Sequence, residues 1–145
     1  MLHQISFFLV VMMSTFSLAA QSEFEQIEET LNHYLYGTSY NDLERIDSAF
    51  YKDATLYLTG RDGFRVYTPK EYAAFFSGRE KGVFNGREGQ ILEISIEKDI
   101  AGAKAEIIIP SLNRRYIDWF ILKKIEGRWL IISKTATFYP LNSDE

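Results

Sequence analysis

The sequence predicts a single α+β domain in which three N-terminal helices cover a curved antiparallel sheet. Three observations predict it. Helical spacing of apolar residues is concentrated in the first half of the chain, and alternation with a period of two dominates the second half. The last two strands are long and joined by a two-residue connection. At 145 residues, the chain suits one domain.

Residues 1–20, MLHQISFFLVVMMSTFSLAA, contain no Asp, Glu, Lys or Arg. The apolar run Phe7 to Met13 matches the hydrophobic region of a secretory signal. Ser17-Leu18-Ala19 places small residues where a signal peptidase needs them, with cleavage after Ala19 or Ala20. The rival reading is a membrane anchor. A spanning helix needs roughly 20 apolar residues, whereas this run is shorter and is broken by Ser14, Thr15 and Ser17. The expectation is therefore a signal peptide over 1–20 and a mature domain over 21–145. That domain is expected to be periplasmic or secreted, and free of the membrane after cleavage.

A first helix is expected from Ser22 to about Tyr36, opened by a capping box between Ser22 and Glu25. Phe24, Ile27, Leu31, Tyr34 and Leu35 form its apolar stripe, and Gly37 is expected to end it. A second helix is expected near Asn41, with Asn41 and Glu44 in capping-box relation and Leu43, Ile46 and Phe50 facing inward. Ala54 to Thr59 reads as a strand, followed by a Gly60/Asp62-Gly63 turn and a short strand near Arg65 to Tyr67. Thr68-Pro69-Lys70-Glu71 opens a third helix, with Thr68 as cap, Pro69 at the first helical position and Glu71 closing the box. Tyr72, Phe75 and Phe76 make its apolar side.

Gly78 to Gly89 is glycine-rich and charged, and reads as a solvated loop or a lid. Beyond it, Leu92, Ile94 and Ile96 alternate with Glu93, Ser95 and Glu97. Ala103, Ala105, Ile107 and Ile109 alternate with Lys104 and Glu106 until Pro110 stops the strand. Two long strands follow, about Arg114 to Ile125 and Arg128 to Phe138, joined through Glu126-Gly127. Long strands bend when helices cover one face, and a bent sheet with helices across its mouth makes a cavity.

Composition excludes several function classes. The net charge of -4 argues against nucleic-acid binding, which needs a basic footprint. There is no cysteine, so disulfides, thiolate nucleophiles and zinc–thiolate sites are ruled out. His33 is the one histidine beyond residue 20, and helical period puts it off the apolar stripe. It reads as a surface residue, which leaves a Ser-His-Asp triad unsupported. No metal site and no cofactor are expected.

The order of elements and several local words resemble the nuclear transport factor 2-like superfamily. The words are Tyr34-Leu35, Asn41-Asp42-Leu43-Glu44, Ala49-Phe50-Tyr51-Lys52-Asp53-Ala54-Thr55, Asp118-Trp119-Phe120-Ile121-Leu122-Lys123 and Glu126-Gly127-Arg128-Trp129-Leu130-Ile131. Within the superfamily the chain looks most like the branch described as putative lumazine-binding. The resemblance implies a cone-shaped α+β domain with a pocket inside, often a homodimer through the outer sheet face. Its members include isomerases, dehydratases, polyketide cyclases and noncatalytic binding domains, so the fold alone selects no function. Ketosteroid isomerase, a relative, uses an Asp base with a Tyr and a protonated Asp as oxyanion donors. The resemblance places Tyr34 and Asp118 where those donors fall. It places the base at position 58, where this chain has Leu58.

Asp118 lies amid apolar strand residues, on the face of Tyr116, Phe120 and Leu122 by alternation. One reading makes it a ligand-binding or proton-donating carboxyl, and the other a structural carboxylate bonded within the core. Tyr34 carries the same two readings, ligand donor or core tyrosine. The expected pocket residues are Tyr34, Tyr57, Tyr116, Asp118 and Phe120, with Asp118 and Tyr34 as the candidate catalytic pair. The leading expectation is an exported domain binding a small apolar or aromatic molecule. The alternatives are an isomerase-, dehydratase- or cyclase-like enzyme, and a noncatalytic interaction or dimerisation module.

Overall fold

The computed structural model describes residues 21–142. The expected signal peptide, residues 1–20, lies outside the described residues. Helix α1 spans Glu23–Tyr40. Its capping box is formed as expected: the Ser22 hydroxyl accepts from the Glu25 amide, and the Glu25 carboxylate accepts from the Ser22 amide. The stripe Ile27, Leu31, Tyr34 and Leu35 is buried. Phe24, expected on that stripe, is 48% exposed.

Helix α1 runs past Gly37, contrary to expectation. Gly37 serves close packing instead, because an added Cβ would lie 2.7 Å from Ile46 Cγ1 and 2.9 Å from the Ile46 amide nitrogen. The helix ends at Asn41, which takes the left-handed conformation at φ 57°. Helix α2, Leu43–Ala49, is therefore capped by Asp42 rather than Asn41.

Strand β1 (Phe50–Gly60) turns into β2 (Gly63–Tyr67). Helix α3 (Pro69–Ala73) has the expected Thr68–Glu71 capping box with proline in its first turn, and continues as a 3-10 turn over Ala74–Phe76. After the loop come β3 (Glu88–Glu97) and β4 (Ile100–Ile109). A 3-10 turn over Pro110–Leu112 leads into β5 (Arg114–Ile125) and β6 (Arg128–Pro140). At the β5–β6 connection, Glu126 and Gly127 both have positive φ, 49° and 79°, as a type I′ hairpin requires.

The six strands form one unclosed sheet in the order β2-β1-β6-β5-β4-β3. The sheet is antiparallel as expected at every neighbour except β1 and β6, which run parallel. The last strand returns between β1 and β5, so it reaches β1 by a long chain path rather than a hairpin. The curved sheet wraps the helices as an α+β cone. Its inner face contributes Leu56, Ala105, Ile107, Phe120, Leu122 and Ile131 to a core shared with Ile27, Leu31 and Ile46. Burying each such large side chain contributes about 1.5–3 kcal/mol.

Two bulges in the antiparallel ladders break the simple alternation. One, between Ile91 and Glu93, leaves Leu92 47% exposed, so Ile91 rather than Leu92 shares the inner side with Ile94. The other shifts β6 against β5: Ile121 pairs with Ser133 but Leu122 pairs with Ile131. Ile132 is the extra residue.

Candidate functional site

The second bulge creates the site. Trp129 and Ile131 face the core, and unbroken alternation would send Ser133 inward and Lys134 outward. The extra residue reverses this, and Lys134 is buried beside Phe120, its partner across β5. There its ammonium lies 3.1 Å from Asp118 Oδ2. Both side chains are almost fully buried. The ammonium also sits 5.6 Å from the Tyr34 ring centroid, 5.4 Å from that of Tyr72 and 6.0 Å from that of Phe120, within cation–π range of all three.

The Tyr34 hydroxyl donates to Asp118 Oδ2 at 2.6 Å and lies 2.9 Å from the Tyr72 hydroxyl. Burial, reinforced by the adjacent Asp118 charge, holds the Tyr34 hydroxyl well above the ordinary tyrosine pKa. Tyr34 thus stays a protonated donor to Asp118, whose carboxylate is also ion-paired with the Lys134 ammonium. A buried carboxylate with an ammonium and a phenol on it is satisfied as a structural unit.

That unit borders a cavity of about 1070 Å³ inside the cone. Asp118, Lys134, Tyr72, Tyr116 and several arginines contribute to its polar wall, and Leu58, Phe75, Phe76, Ile109 and Phe138 to its apolar wall. The volume and mixed lining fit a small organic ligand. A second, more open groove of about 1000 Å³ runs along α1, bordered by Glu25, Glu28, Glu29 and Glu88 and by Tyr36 and Phe84. It holds none of the inward-facing polar groups just described.

The structure separates the residues expected in the pocket. Tyr116 and Asp118 stand in the cavity wall. Tyr34 and Phe120 lie behind it, fully buried in the core, and Tyr34 touches the site through Asp118. Tyr57 is on the other side of the sheet, 41% exposed and stacked on Phe64 at 6.3 Å between centroids. Strand alternation gives the inner face of β1 to Leu56 and Leu58 instead. Position 58 is in the wall, but as leucine it supplies no carboxylate. His33 bonds to the Ser48 hydroxyl at 3.1 Å on the helical side, away from the cavity. Among the described residues, no group of three His, Cys, Asp or Glu gathers to hold a metal ion.

Three residues of the candidate site give no signal of their own in the sequence. Lys134 was hidden by the bulge. Tyr72 reads as one more apolar-face residue of α3. Arg87 lies in the glycine-rich loop and lines the cavity. That loop is pinned to the end of α1. Asn41 Nδ2 donates to the Glu80 and Val83 carbonyls at 3.0 and 2.9 Å, and Asn85 Nδ2 donates to the Thr38 carbonyl and Asn41 Oδ1, each at 2.7 Å. The recurrence of asparagine at the helix end and in the loop was the available signal, and only the fold brings the two together.

Residues 22–137 match the family described as putative lumazine-binding. No curated protein matches the chain. Among solved structures, a nuclear transport factor 2-like protein of unknown function from Shewanella baltica OS155 is 24% identical. It superposes with a TM-score of 0.71 over 81% of this chain and 94% of its own. One of unknown function from Methylobacillus flagellatus KT is 25% identical, with a TM-score of 0.70 over 84% and 96% of the two chains. A third, from Silicibacter pomeroyi DSS-3, is 17% identical, with a TM-score of 0.70 over 82% and 100%. The match over most of its length, on the cone just described, shows that this chain belongs to the putative lumazine-binding family of the nuclear transport factor 2-like superfamily.

Proposed function

We propose that this chain is an exported binding domain that holds one small molecule with an apolar or aromatic body inside the cone. The observation that carries the reading is the cavity of about 1070 Å³, whose wall combines aromatic and aliphatic side chains with arginines and a buried, preorganised polar cluster. The Asp118–Lys134–Tyr34 unit suits binding better than turnover. Its groups already satisfy one another through Asp118 Oδ2, and Leu58 stands where the related isomerase chemistry needs a base. Oδ1 of Asp118 remains as an acceptor for a ligand donor. Export rests on the apolar run and small residues of positions 1–20, and pairing with a second copy through the outer sheet face belongs to the same reading.

Native mass spectrometry on protein recovered from its own exported compartment tests this. The expected result is a chain lacking the first 19 or 20 residues that carries an added small mass, released on unfolding. A full-length chain in the membrane fraction would overturn the export reading. A bare chain that also binds nothing from a panel of aromatic and aliphatic probes would overturn the ligand reading.

A further inference from the structure

The overall charge of the chain is -4, yet the cavity wall is cationic. Arg61, Arg79, Arg87, Arg114 and Lys134 line it, against Asp118 as the single carboxylate among the described residues. Lys134 is already matched by that carboxylate at 3.1 Å. None of the four arginines forms an ion pair among the described residues. Arg61 and Arg79 are exposed, and Arg114 spends one donor on the Tyr116 hydroxyl at 3.2 Å.

Arg87 differs from the rest. Its Nε is buried and has no hydrogen-bond partner among the described residues. Its guanidinium lies over the Phe76 ring at 5.4 Å, and its backbone amide donates to Asn85 Oδ1 at 3.1 Å. The Asn41–Asn85 network therefore holds this cation in place before any ligand arrives. A buried guanidinium donor left unbonded is costly, and a ligand oxygen removes that cost. Arg87 also reaches the groove along α1, but glutamates border that side and repel an anion.

We propose that the ligand of the cavity is an organic carboxylate whose head group is taken by Arg87, with its apolar body against Phe75, Phe76 and Phe138. This rests on the reading of the cone as a ligand cavity and goes further by fixing the charge of the ligand. The planar guanidinium, with its paired N–H donors, matches the two oxygens of a carboxylate. Lys134 is matched internally, Arg61 and Arg79 are exposed and Arg114 bonds the Tyr116 hydroxyl, so Arg87 is the lining cation left without a polar partner for its side chain among the described residues, and a monoanion supplies one. A phosphate dianion would leave excess charge buried. The exposed arginines add a positive field that draws anions to the mouth.

Calorimetric titration of the mature domain with 2-naphthoate, 2-naphthamide and 2-naphthyl phosphate tests the proposal. The acid is expected to bind about 10-fold or more tighter than the amide, as one charge-assisted pair predicts. The acid is also expected to bind tighter than the phosphate. Arg87→Gln is expected to abolish the preference for acid over amide. If Arg87→Gln does not fold, Arg87→Lys keeps the charge without the planar fork, and the preference must still fall. Equal binding of acid and amide, or tighter binding of the phosphate, overturns the carboxylate assignment and leaves the cavity reading standing. An acid preference unchanged in both Arg87 variants overturns the role of Arg87. Binding of none of the three overturns both readings together.

Discussion

At the scale of single residues, the pair Asp118 and Lys134 dominates the energetics of the site. Two buried opposite charges 3.1 Å apart are tolerated because each compensates the other. Removing one leaves the other without its partner. Asp118→Asn is therefore expected to destabilise the domain by about 3–5 kcal/mol. The double change Asp118→Asn/Lys134→Met is expected to recover a large part of that loss, since no uncompensated charge remains. Urea denaturation of the two single variants and the double variant measures the coupling. Additive losses would show that the pair is not coupled. The same logic makes Asp118→Asn a poor probe of ligand contact, because its effect on the fold comes first. Tyr34→Phe removes one donor from Asp118 while leaving the ion pair in place, so it perturbs the site more gently.

At the scale of elements, Gly37 shows how helix packing overrides local preference. Alanine is the better helix former by about 1 kcal/mol. Gly37→Ala nevertheless places a Cβ 2.9 Å from the Ile46 backbone nitrogen, and backbone cannot swing aside as a side-chain tip can. The expected outcome is a net loss of about 1–3 kcal/mol, read as a lower urea midpoint with an unchanged slope. A gain in stability would show that α1 and α2 separate at little cost. Gly37 also marks where sequence stops being legible. Near the end of an apolar stripe a glycine looks like a helix stop, and only the position of Ile46 shows that it is a contact point. The caps at Ser22 and Thr68 were legible because their partners lie three residues away. The bounds of β5 were legible for a similar reason, since Pro110 and Glu126-Gly127 punctuate it locally. Lys134 was not, because a bulge is set by how β6 must twist against β5, and nothing within β6 encodes it. Asp118 shares a face with Phe120, as alternation predicts, because no bulge intervenes between them. Tyr57 needed a choice of face for β1, which the mixed residues Thr55 to Thr59 do not supply.

At the scale of the whole molecule, the outer face of the sheet is more apolar than a solvated face needs to be. One register row crosses it from β2 to β3: Val66, Tyr57, Thr135, Trp119, Lys104 and Glu93. Phe64 and Ile121, 65% and 54% exposed, lie in neighbouring rows, and Val66 and Trp119 are 53% and 49% exposed. At the far end, Lys104 lies 4.3 Å above the Trp119 ring and pairs with Glu93 at 2.7 Å, so the apolar part is bounded there by charge. An apolar centre with a polar rim is the pattern of a subunit interface. A twofold pairing of this face would bury the same stripe from both copies, and a stable interface needs only about 800 Å² from each partner. The chain is therefore expected to sediment as a homodimer. Ile121→Asp is expected to yield monomers, since a twofold contact brings two buried carboxylates together. The substitution faces away from the core, so the circular dichroism spectrum and the response to Arg87 substitutions are expected to stay as in the parent chain. Sedimentation velocity on the two proteins decides the matter: a parent chain that sediments as a monomer, or an Ile121→Asp dimer as tight as the parent, removes this face from the assembly.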